Sequence, residues 1–426
     1  MFRHTHKEGG QAVLVAILFF LAGSVLLIGG IAAPVVRDIR AAEHLGQSKE
    51  SFYVADALLD DINYRLTRLM PVAATEVLSV EGTTATATVA VISSGKQASI
   101  KSTTEGNVVR LMESSLALGA GVAFNFAMQS HVGGIRLDNS SSIAGNVFSN
   151  GPITGSGGNI VGGDAVSAGP AGLIDGVRAT SSAYAHTIRN STVDKDAYYQ
   201  VISGTTVSGT SYPGSADQAT TSLPISDEQI EEWKADAEAG GVITSPCPYK
   251  INASVTIGPK KINCKLEISG NITVTLAGPL WVVGDIDFQN DNTVRVSPSL
   301  TDTSIAVVAD NPANRLTSSN INIQNSPTFE GNGSRSFILL VSQNESAEQG
   351  GSEDAINVQN YVSGQLLVYA GHGKVRLQNN VQLREVTAYK VHLQNSAKVT
   401  YETGLASVLF SSGPSGSYAI YGWREN

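Results

Sequence analysis

The spacing of apolar positions changes several times along the chain. Residues 9–36 carry no ionisable side chain. The 26 residues 11–36 would make a helix of about 39 Å, longer than the ~30 Å hydrocarbon core of a bilayer and than the apolar part of a cleaved secretory signal. A retained transmembrane helix is predicted, with Pro34 near its far end, where water can satisfy the freed carbonyl. Phe52, Ala55, Leu59, Ile62, Leu66 and Leu69 then recur at helical spacing and predict an amphipathic stalk over 37–70. Beyond it the period falls to two. Residues 83–92 alternate Thr, Ala and Val, and short apolar runs near 96–102 and 108–112 are set off by Ser-Ser-Gly-Lys and Glu-Gly-Asn. These predict a small antiparallel meander over 71–119, packed on the stalk.

From about residue 120 the chain resembles itself. The unit apolar-x-apolar-Gln-Asn ends at Asn290, Asn325, Asn360, Asn379 and Asn395, and a relaxed copy ends at Asn139. Successive copies are 35, 35, 19 and 16 residues apart. Runs at 304–308 and 337–341 are candidates for extra rungs in the two long gaps. A coil of about 16–20 residues predicts a right-handed parallel β-helix, with rungs stacked about 4.8 Å apart. Apolar positions would point into the lumen. Each Asn would sit at a corner, where left-handed φ is tolerated and amides can form a ladder.

First rungs are expected at 120–177 and the main β-helix with a C-terminal cap at 246–426, the cap formed by 418–423. Residues 178–245 break the pattern and are expected to be an insertion. Inside it Ser226 is a helix N-cap, Asp227 and Glu228 suit the positive helix end, and Gly240-Gly241 stops the helix. A surface excursion or a helical cover over the rod both fit.

Charge and cysteine content narrow the partners. The net charge is −9, with 28 basic and 37 acidic residues, and the basic ones are scattered, which argues against nucleic acid. Cys247 and Cys264 are the only cysteines. They suit one disulfide in an exported protein, or two buried thiols. No local cluster supplies a metal site, so neither metal nor cofactor is expected.

The residues that follow the apolar helix, Phe52-Tyr53-Val54-Ala55-Asp56-Ala57-Leu58-Leu59-Asp60, together with Gly9-Gly10 before it, carry a family resemblance. The segment 9–69 resembles the N-terminal region of type IV pilin-like proteins, most closely PilX-type minor pilins. The resemblance implies a leader over 1–10 cut between Gly10 and Gln11, and partners among other pilins and the pilus assembly machinery. Val15 stands where such proteins usually carry a glutamate at the fifth mature position.

Gly371-His372-Gly373 looks like an element of polygalacturonases, but the paired carboxylates that such hydrolysis needs are not at matching positions. It reads more simply as a turn between strands, and no catalytic residues are assigned. The expected function is that of a type IV pilus-associated surface protein, not an enzyme, with a single membrane span and an extracytoplasmic β-helical domain used in structure, assembly or adhesion. Two alternatives remain open: a non-pilus surface β-helix that binds glycans, and a polysaccharide lyase or hydrolase.

Overall fold

The computed structural model describes residues 9–67, 72–92, 97–105, 109–118, 120–156, 158–300, 302–333, 335–411 and 418–425. Most of the expected leader, 1–8, lies outside them. The chain is mainly β with one long N-terminal helix, and it divides into two compact units: 1–118 with 417–426, and 119–416.

In the first unit helix α1 (Gly9–Thr67) runs unbroken through Pro34 and is long and apolar enough to cross a membrane. Its large apolar side chains from Val13 to Ile28 and at Val35 and Val36 are exposed, whereas Val54, Ala55, Leu58, Leu59 and Ile62 are buried. The buried set packs on alternating residues of an antiparallel sheet, among them Ala85, Ala87, Ile100, Met112 and Leu116. Four strands follow one another as a meander: β1 (Thr75–Val80), β2 (Thr83–Ile92), β3 (Gln97–Glu105) and β4 (Leu111–Leu118).

The fifth strand corrects an expectation. Residues 418–423 do not cap a coil; Tyr418–Glu425 pairs antiparallel with β4, Tyr418 opposite Leu118. Its partner β4 would otherwise present an open edge, and Arg424 donates to the shielded Glu113 carboxylate at 2.6 Å. The second unit is therefore an insertion of about 300 residues between two neighbouring strands of one sheet.

The second unit is a stack of coils, most of them three short strands long, each paired in parallel with the coil before and after. One apolar column shows the order: Tyr249, Leu266, Ile286, Ile321, Ile356, Val375, Val391, Ile135, Ile153, Ile174, Ile188 and Ile202 occupy neighbouring registers. Two corrections follow. The 35-residue steps are single coils, because Ile286 pairs directly with Ile321; Ile305–Ala309 and Ile338–Ser342 are the third strands of coils lengthened by loops. Residues 178–213 are also coils rather than insertion. They shorten to 14-residue steps, from Ile174 to Ile188 to Ile202, and their Ala, Gly and Ser content hides the Gln-Asn signature.

The order in space differs from the order in sequence at one point. Val391 pairs with Ile135, so the last coil stacks on the first. The chain leaves the stack at Ser211–Pro213 and re-enters at its opposite end near Val242–Ile243, and residues 214–241 must span the whole length. Twelve steps of about 4.8 Å make roughly 58 Å. Fifteen extended residues and the 13 of helix α2 (Asp227–Ala239) reach about 70 Å, enough for this strap.

The strap explains a second core. Strands Ile305–Ala309 and Ile338–Ser342 are buried at every position because their outward side chains Ala306, Val308, Leu339 and Val341 pack under Ile230 and Trp233 of α2. Strands covered on both faces carry continuous apolar runs instead of alternation.

At the corners Asn290, Asn325, Asn360, Asn379, Asn395 and Asn139 all have left-handed φ, between 52° and 64°. Five side-chain amides, those of Asn325, Asn360, Asn379, Asn395 and Asn139, donate to the neighbouring Oδ1, Asn379 to Asn360 at 2.9 Å and Asn360 to Asn325 at 3.2 Å, for example. The first and last coils join in the same way, Asn139 donating to Asn395 at 3.0 Å. Asn360→Ala removes two ladder bonds and places a methyl side chain at positive φ, so unfolding of the full chain in detergent is expected to lose about 2 kcal/mol. Asn360→Gly keeps the backbone accessible and should lose about half as much. Equal losses would leave the backbone term without a role.

Candidate functional site

The strap meets the coils at a cleft of about 370 Å³ whose lining includes His131, Ser226, Asp227, Glu228, Glu348, Tyr369 and His372. Ser226 caps α2 by accepting from Gln229 N at 3.3 Å, while Gln229 Oε1 accepts from Ser226 N, and this reciprocal pair fixes Asp227 in the first helical turn. Opposite it, Gly371-His372-Gly373 is not a turn. It lies inside the strand Leu366–Gln378, where the register against Glu385–Gln394 shifts between Ala370 and Lys374. A Cβ at Gly371 would lie 2.8 Å from the Tyr369 hydroxyl, and one at Gly373 would overlap Ala355. The glycines are there for close approach, and the bulge turns the imidazole out of the sheet.

Both ring nitrogens of His372 are engaged: Nδ1 with Glu348 Oε2 at 2.6 Å and Nε2 with both Asp227 oxygens at 3.1 Å. Burial pushes the imidazole pKa down, but hydrogen bonds to Asp227 and Glu348 and their charges outweigh it, so the pKa is raised above 6.5. His372 therefore ties the strap to a coil and to the loop carrying Glu348, with neither nitrogen left to act as a base. Nearby, Tyr369 donates to Ile225 O of the strap at 2.5 Å. Glu385 is fully buried; desolvation raises its pKa well above 4.5, against a hydrogen bond from Thr387.

One turn further along α2 a buried ionic cluster forms. Lys234 Nζ lies 2.6 Å from Asp310 Oδ2 and 2.6 Å from Glu231 Oε1. Arg315 grips Asp310 through Nε at 2.8 Å and Nη2 at 3.0 Å. Burial pushes Asp310 up, and the hydrogen bonds from Arg315 and Lys234 more than offset this, leaving it below the usual carboxylate range. Trp281 donates to Asp310 O at 3.0 Å and carries Lys261 over its ring at 3.8 Å.

Of the residues singled out from sequence, the five corner asparagines fall in one column. Cys247 and Cys264 are joined in a disulfide with Cα atoms 5.9 Å apart. Gly10 and Gln11 lie near the start of α1. Asp287 is largely buried and pairs with Lys265 at 2.7 Å. The sequence reading missed Asp227, Glu348, Lys234 and Asp310 as partners, since they are remote in sequence. It also missed a readable signal: Tyr184, Tyr198 and Tyr212 recur every 14 residues and stack with ring centroids 4.5 and 4.6 Å apart.

No family model and no curated protein matches the chain. Among solved structures, the competence-associated pilin ComZ from Thermus thermophilus aligns over 89% of this chain and 97% of its own, at 12% identity and a TM-score of 0.29.

His372 contributes stability that is present below pH 6.5 and is lost as pH rises through its raised folded value. His372→Gln should therefore cost about 1–2 kcal/mol near pH ~5.5 and progressively less as pH rises, in urea titrations followed by tryptophan fluorescence. A pH-independent loss would contradict the clamp. Glu385, also raised, loses stability as pH climbs above 4.5. Glu385→Gln should accordingly melt higher than the parent at neutral pH, with the gap closing in acid; a gap that widens in acid would reverse the assignment.

Proposed function

We propose that this chain is a type IV pilus-associated, PilX-like minor pilin-type protein that displays a right-handed parallel β-helical domain outside the cytoplasm, for structure, assembly or adhesion. The observation that carries this reading is the division of α1. Its first half exposes large apolar side chains to whatever surrounds it, while Val54, Ala55, Leu58, Leu59 and Ile62 near its end are buried on the antiparallel sheet. Such a helix suits a protein that sits first in a bilayer and then against the apolar helices of other subunits. Right-handedness is supported by the strong preference for that hand in parallel crossovers. The Cys247–Cys264 bond fits an oxidising compartment and hence an extracytoplasmic position for residues after the span.

The reading includes no catalysis, because His372 is held by carboxylates on both sides. The stacked coils serve shape, and the membrane, other pilins and the assembly machinery are the partners. Glycan binding is a second reading. It is favoured by Tyr212, which is 40% exposed at the end of the tyrosine stack, since sugars pack against open aromatic faces.

In cells with a prepilin peptidase the mature protein should begin at Gln11, seen as the loss of residues 1–10 from the intact mass and their retention when the peptidase is absent. An intact Met1 in cells that process other pilins would remove the pilin reading.

A further inference from the structure

We propose that Lys234 and Asp310 form an intramolecular isopeptide bond that locks helix α2 covalently onto the stack. Lys234 Nζ is 2.6 Å from Asp310 Oδ2, and the two side chains are 4% and 0% exposed. The residues are 76 apart in sequence and belong to the strap and to a coil respectively. Two further groups stand where the condensation needs them. Glu231 Oε1 is 2.6 Å from the same Nζ, and Arg315 Nε holds Asp310 Oδ1 at 2.8 Å.

The step starts from the ion pair that Arg315 maintains. One proton passes from Nζ to Oδ2 across the 2.6 Å hydrogen bond, giving amine and carboxylic acid. The nitrogen lone pair then attacks the Asp310 carboxyl carbon, and the negative charge gathering on Oδ1 is met by the Arg315 guanidinium. A second proton leaves Nζ through Glu231 and reaches the departing Oδ2 hydroxyl as the C–Oδ2 bond breaks. The products are an amide, which keeps the third Nζ hydrogen, and one water; Glu231 ends in its starting form and nothing is oxidised or reduced. The half-exposed side of Glu231 gives the water an exit.

Two physical effects favour the bond. Fixed juxtaposition of amine and carboxyl replaces a bimolecular encounter. Condensation also removes two charges from a site where each is costly to desolvate. Oδ1 keeps its bond to Arg315 as an amide carbonyl, and Arg315 faces Glu231 at 3.8 Å, so the remaining charges balance.

The test is the intact mass of the folded full chain in detergent after disulfide reduction, followed by peptide mapping. The wild type should be lighter than its sequence by one water and yield a branched peptide joining Lys234 to Asp310. Asp310→Ala should return to the sequence mass, and Asp310→Asn should lose one ammonia instead. Glu231→Gln should form the link at least about a hundredfold more slowly. A natively fluorescent wild type at full sequence mass, with no branched peptide, would overturn the proposal; cross-linking at an undiminished rate in Glu231→Gln would remove Glu231 from the step.

Discussion

Parallel pairing between the first coil and the last is the contact on which the second unit depends. Once Ile135 lies beside Val391, the two runs of coils become one stack, and the chain between them has to travel from one end of that stack to the other. Nothing about residues 214–241 taken alone requires this path. It follows from which backbone edges are satisfied and which segment is left to join them.

The return path creates the environments described above. Where α2 lies against the coils, outward side chains that would otherwise be polar are Ala306, Val308, Leu339 and Val341. Where polar groups are trapped beneath the strap, they are paired: His372 between two carboxylates, Lys234 and Arg315 on Asp310. Buried charges without such partners would be strongly destabilising, so the strap and its ionic anchors stand or fall together. At Glu385 burial raises the pKa well above 4.5 and so favours the neutral form.

The corners solve a different problem. Five coils turn sharply after a Gln-Asn pair, where the Asn and the residue after it both adopt positive φ, as at Asn360 and Tyr361. Asparagine tolerates that backbone and offers one donor and one acceptor along the stacking direction, so the same residue satisfies turn and ladder. A parallel run of glutamines does likewise, Gln394 donating to Gln378 at 2.6 Å and Gln378 to Gln359 at 3.0 Å.

The local chemistry was legible in the chain itself. The apolar run of α1, the alternation in β2, the Ser226 cap and the repeated Gln-Asn corners are all set by neighbours within a few residues, whose periodicity or turn preference acts without distant help. The 14-residue coils at 178–213 lack the Gln-Asn corners and fill much of their lumen with alanine, so their period rests on a few positions such as Ile174, Ile188 and Ile202. Only the tertiary structure decided that Tyr418–Glu425 completes a sheet whose preceding strand ends some 300 residues earlier, that the last coil meets the first, and that Lys234 reaches Asp310 and His372 reaches Asp227. Those choices depend on which exposed strand edges find each other, and backbone hydrogen bonds carry no sequence mark that would announce the partner beforehand.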